Sequence, residues 1–202
     1  MTQPATRQPA TRTPAPEREP ISMFGFWVYL MTDCVIFACL FATYAVLHRN
    51  TAGGPGAAEL FSLPFVLAET LILLTSSYTA GLGLLSARRG ERRAMFAWLA
   101  LTGLLGLAFL GLEISEFRNL VIEGNSWQRS GFLSAFFTLV GTHGLHIATG
   151  LVWLGVLADK LYFRGLMPGN LRRLALFTLF WHFLDVIWIF IFTFVYLLGV
   201  TS

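Results

Sequence analysis

Trp181-His182-Phe183-Leu184-Asp185-Val186-Ile187-Trp188 lies in the middle of residues 174–200, a run otherwise built from apolar and aromatic side chains. At about 1.5 Å of rise per residue, such a run crosses the roughly 30 Å hydrocarbon layer of a bilayer as one helix. An ionisable group at that depth costs roughly 2.5–3.5 kcal/mol on insertion scales, so it turns away from lipid and takes a partner inside the protein. Other apolar runs carry the same signal: Asp33 in the first, Glu69 in the second, His143 and His146 in the fourth. The pattern predicts an all-α, polytopic membrane protein whose helices interlock through a polar interior.

Composition agrees. Hydrophobic residues make up 55% of the 202 residues and charged ones only 12%, about half the charged share of soluble domains. The mean hydropathy is +0.66. Nineteen phenylalanines and six tryptophans suit lipid-facing surfaces and interfacial belts. The chain is basic, with a pI near 9.2, but its basic residues fall in short clusters between apolar runs. That arrangement signals membrane topology and argues against nucleic-acid binding. Cys34 and Cys39 share one apolar helix five positions apart, too far for a disulfide within it. They read as small packing residues, with no zinc, haem-attachment or redox motif around them.

Residues 1–22 form a tail. Gln3-Pro4-Ala5-Thr6-Arg7 repeats as Gln8-Pro9-Ala10-Thr11-Arg12, followed by Pro14, Pro16 and Pro20. Such a segment cannot bury a core, and disorder is expected. The apolar run that follows is about twice the length of a signal-peptide core and lacks a small-residue cleavage site. One helical domain, residues 23–202, holds five expected spans at about 23–47, 62–86, 95–114, 131–158 and 174–200. Eleven of the fourteen basic residues lie in the tail, at Arg88–Arg93 and at 159–173. The positive-inside rule then places the N-terminus in the cytoplasm and the C-terminus in the periplasm.

Rise arithmetic puts Asp33, His146 and Asp185 at similar depth. His182 and Asp185 share a helix face, as do His143 and His146. Glu69 lies nearer the outer surface and heads a stripe through Leu73, Ser76, Ala80 and Gly83, whose small members let a neighbouring helix approach closely. Ala100, Gly103 and Gly106 make a similar edge on the third span. Glu113 and Glu116 fall at that span's outer end, where headgroups would solvate them. Three functional readings stand beside simple packing: an iron or zinc site on His-x-x-His and the carboxylates; a haem b held by His182 and either His143 or His146; and a proton path through Asp33, Glu69, His146 and Asp185. The residues alone favour packing, with these groups hydrogen-bonding one another or lipid headgroups.

Longer motifs narrow this further. Gly141-Thr142-His143-Gly144-Leu145-His146 and Trp181-His182-Phe183-Leu184-Asp185-Val186-Ile187-Trp188 resemble signatures of subunit III of haem-copper respiratory oxidases. Phe24-Gly25-Phe26-Trp27, Thr51-Ala52-Gly53-Gly54-Pro55, Gly111-Leu112-Glu113-Ile114 and Arg129-Ser130-Gly131-Phe132-Leu133-Ser134 are similar to the family's cytochrome bo-type ubiquinol oxidase branch. The resemblance runs from residue 24 onward and leaves the tail out. It implies a five-helix accessory subunit in a bacterial cytoplasmic (inner) membrane. Such a subunit packs against the large catalytic subunit and other oxidase subunits, in contact with membrane phospholipids. It would carry no cofactor, with haem and copper expected on the large subunit, and would support assembly and sustained proton uptake. Many family members have seven helices; this chain lacks the first pair. Asp33, in Met31-Thr32-Asp33, matches the family's intramembrane carboxylate in a Ser-Glu motif, one methylene shorter. Two alternatives to the quinol-oxidase reading are subunit III of a cytochrome c oxidase and a haem b-binding membrane anchor.

Overall fold

A computed structural model describes residues 19–60 and 62–201; the N-terminal repeats expected to be disordered lie outside the described residues. Helix α1 spans Glu19–Leu47, a short α2 spans Ala57–Leu60, α3 spans Leu63–Arg88 and α4 spans Arg92–Ile122. After these come α5 at Gly131–Arg164, α6 at Pro168–Ile191, a π-helical turn at Phe192–Leu197 and a final turn, α7, at Leu198–Thr201. Five of these helices are long and apolar enough to span a membrane, so the described chain is all-helical and multi-pass in character.

The helix ends follow from local chemistry. Pro64 and Pro168 open α3 and α6, where a missing N–H costs nothing because first-turn donors have no helical acceptor. The Ser130 hydroxyl accepts the Leu133 N–H and caps α5. Gly90 and Gly124 adopt positive φ after α3 and α4. Paired backbone bonds close each end: Gly90 to Ala87 and Glu91 to Ser86, then Gly124 to Val121 and Asn125 to Leu120. This left-handed cap favours glycine, which has no Cβ to clash. At the opposite end of α5, the Arg92 guanidinium donates to the carbonyls of Leu161 and Tyr162.

Helix α3 packs against α4 and α6, α5 against α4 and α6, and α1 against α5 rather than against its sequence neighbour α3. Thr70 meets Trp188 and Ser76 meets Trp181 across α3 and α6, while α1 and α6 run parallel, with Tyr29 near Phe180 and Phe41 near Phe194. Trp181 fills a slot between α4 and α5. A Cβ on Gly106 or Gly150 would stand 2.9 or 2.8 Å from its ring. The small-residue stripe of α3 is its buried face, with Glu69, Leu73, Ser76, Ala80 and Gly83 all inside.

Three boundaries differ materially from expectation. The helix expected to end near residue 114 continues to Ile122, the one expected to end near 158 continues to Arg164, and the one expected from 174 starts at Pro168. Hydropathy falls at Glu113-Ile114-Ser115-Glu116-Phe117-Arg118, yet helical hydrogen bonding does not require apolar side chains.

Candidate functional site

The buried ionisable residues gather in a belt from the middle of the bundle towards one end. Asp33 of α1 faces His146 of α5, with Oδ2 3.7 Å from Nε2 and side-chain exposures of 5% and 19%. That separation exceeds a hydrogen bond, and Asp33 Oδ2 has no hydrogen-bond partner among the described residues. His146 Nδ1 lies 2.7 Å from the Thr142 carbonyl. A carbonyl only accepts, so Nδ1 carries the hydrogen and a neutral ring presents a lone pair at Nε2. The contact with Asp33 is attractive only when a further proton sits on one of the two. Tyr29, one turn before Asp33, has its hydroxyl in reach of the same carboxyl.

His182 and Asp185 do share one face of α6, and Ser77 of α3 stands between them. Its hydroxyl is 2.5 Å from His182 Nδ1 and interacts with the Asp185 carboxyl. Gly81, one turn further along α3, leaves room for the other edge of the imidazole. Asp185 Oδ1 has no partner among the described residues.

His143 is enclosed by rings. Trp188 stacks on it at 5.2 Å, and Phe109 and Phe37 present edges at 6.0 and 6.4 Å. Neither ring nitrogen has a partner among the described residues. Trp188 is itself fixed by donating to the Thr70 hydroxyl at 3.0 Å and by an edge contact with Phe109 at 4.7 Å.

Glu69, Glu113, Glu116 and Tyr196 form one end of the belt, within electrostatic reach of one another. Tyr196, carried inward by the π-helical turn, donates to Glu116 at 3.0 Å. The expectation of headgroup-solvated glutamates at this level is corrected for Glu113. It is 2% exposed because α4 continues past it and α5 covers it through Gly144.

His143 is walled by aromatic rings, His146 is aligned on Thr142 and Asp33, and His182 is bonded to Ser77. Among the described residues, no group of three or more His, Cys, Asp or Glu side chains could hold a metal ion. Chemically, the belt can hold protons, order helices and accept hydrogen bonds.

Sequence reasoning did not single out Thr70, Ser77 or Tyr196 as belt members. Hydroxyls inside apolar helices are so often bonded to their own backbone that they carry little signal. Thr70 does donate to its own Val66 carbonyl while accepting from Trp188.

The fold and this belt define a multi-pass membrane protein whose interior polarity is engaged largely between helices. The description "Cytochrome c oxidase subunit III" belongs to the family whose pattern matches residues 20–200. Cytochrome bo(3) ubiquinol oxidase subunit 3 of Pseudomonas aeruginosa is 57% identical over 178 residues, covering 88% of this chain and 85% of that protein. The Pseudomonas putida protein of the same name is 52% identical over 180 residues, covering 89% and 87%. Cytochrome c oxidase subunit 3 of Bacillus sp. strain PS3 is 46% identical over 193 residues, covering 93% of each. The chain belongs to the cytochrome c oxidase subunit III family.

Proposed function

We propose that this chain is the accessory subunit of a proton-pumping terminal ubiquinol oxidase, which oxidises ubiquinol with oxygen to ubiquinone and water. The observation that carries the choice of donor is the 57% identity to a ubiquinol oxidase subunit 3, against 46% to a cytochrome c oxidase subunit 3. The chemistry belongs to partner chains. Haem and copper sit on the large subunit, against which this chain packs within a bacterial cytoplasmic membrane. Asp33, Glu69, His143, His146, His182 and Asp185 are structural and proton-linked positions, and none is a catalytic residue. Asp33 with His146, and Ser77 with His182 and Asp185, tie α1 to α5 and α3 to α6. That bracing supports assembly and sustained proton uptake by the catalytic subunit. The excess of basic residues in alternate loops sets the N-terminus in the cytoplasm and the C-terminus in the periplasm.

Purification through a tag on this chain tests the reading. The expected result is co-purified haem-bearing subunits, quinol oxidation and no oxidation of reduced cytochrome c. A copper centre and cytochrome c activity on the partner would support the cytochrome c oxidase alternative. Replacing His143, His146 or His182 singly with Gln should leave the visible haem spectrum of assembled complexes unchanged. A lost or shifted Soret band would make this chain a haem anchor.

A further inference from the structure

Glu113 is a buried carboxyl that borders a cavity between two helices. It lies on α4 with its head over Gly144 of α5, where a Cβ would meet Oε1 at 2.5 Å and Oε2 at 2.7 Å. Both oxygens are buried, and neither has a hydrogen-bond partner among the described residues. The carboxyl borders a cavity of about 260 Å³ between Leu110, Ile114 and Phe117 of α4 and Gly141, Leu145 and Ala148 of α5. Ile114 and Leu145, 58% and 67% exposed, stand on its outer rim.

The notch therefore opens at an apolar rim on two helices long and apolar enough to span a membrane. Lipid tails offer no donor, and an unpaired polar group in hydrocarbon is costly. Gly141, Gly144 and Ala148 fall three and four residues apart on one helix face, the spacing that lets another helix backbone come close. Among the described residues, no basic side chain lines the cavity. The missing complement is a hydrogen-bond donor, and a cation is the donor that also matches a carboxylate's charge.

We infer that the α4–α5 face is a docking surface for a transmembrane helix of another subunit, which inserts a lysine or arginine side chain into the notch against Glu113. Such a helix would bury the exposed apolar rim and supply the donor that the chain itself lacks there. The inference rests on the reading of this chain as a subunit of an oxidase complex.

The test uses the purified, tagged complex carrying the photoreactive residue p-benzoylphenylalanine at Leu145 or at Ile114, with Val35 on α1 as a control site. A complex without a haem-bearing subunit before irradiation would remove the oxidase reading and this inference together. With the complex intact, irradiation should cross-link both rim positions to a transmembrane peptide of another subunit, identified by mass spectrometry, with a lysine or arginine within one turn. Cross-links to lipid alone, to a second copy of this chain, or to a segment without a cation would overturn the inference and leave the oxidase reading standing. In parallel, Glu113→Leu should lower the fraction of this chain retained through a detergent series by roughly tenfold, and Glu113→Gln by roughly threefold. Equal retention of wild type and Glu113→Leu would also overturn it. Should Glu113→Leu fail to accumulate, the cross-links on the otherwise wild-type chain still decide.

Discussion

Replacing Asp33 tests whether the polar belt acts as a brace or as a path. In the folded chain its carboxyl is 5% exposed and 3.7 Å from His146 Nε2, while the opposite ring nitrogen is already committed to Thr142. Asp33→Ala leaves Nε2 facing an apolar void where the carboxyl stood. Intramembrane polar contacts average about 0.6 kcal/mol and reach about 1.7 kcal/mol, and the small cavity left by the side chain adds to the loss. A total near 1–2 kcal/mol corresponds to roughly a 5- to 30-fold weaker hold of α1 on α5. Asp33→Asn should cost less, because its amide N–H can donate to a neutral Nε2 lone pair without needing the extra proton. The assay is quinol oxidation followed over repeated turnovers in purified complexes, with subunit content measured in the same samples. The expected outcome for Asp33→Ala is a near-normal initial rate that decays as this chain is lost, with Asp33→Asn intermediate. An initial rate abolished in complexes that retain the subunit fully would refute the bracing argument and put Asp33 on an essential proton path.

Trp188→Phe removes the donor to Thr70 while keeping an aromatic ring against His143, so it should destabilise the subunit by about 1 kcal/mol; Thr70→Val in the same background should add little, which a double-mutant cycle of unfolding in denaturing detergent measures. Gly150→Leu places its Cβ 2.8 Å from the Trp181 ring, and overpacking of about 1–3 kcal/mol or more should appear as poor accumulation of the chain on membrane immunoblots. A reporter fused after Ser202 should show alkaline phosphatase activity and give a dark fluorescent fusion; the reverse pattern would overturn the assigned orientation.

Five spans were legible in the sequence because length and hydropathy are properties of a single helix. They need no knowledge of neighbours. Shared faces were legible for the same reason: three residues of spacing puts His182 beside Asp185 and His143 beside His146 whatever surrounds them. Motif resemblance carried the family. Tertiary structure alone decided which faces meet, since helix rotation and neighbour choice come from packing across many side chains at once. Only there does Ser77 join His182 to Asp185, Trp188 find Thr70, and Asp33 find His146. Glu113 shows the limit most directly. Its sequence context is that of a span end, where a carboxylate meets headgroups. The covering helix α5, with a glycine at the point of contact, places it inside the bundle, because a residue's burial depends on what another part of the chain lays over it.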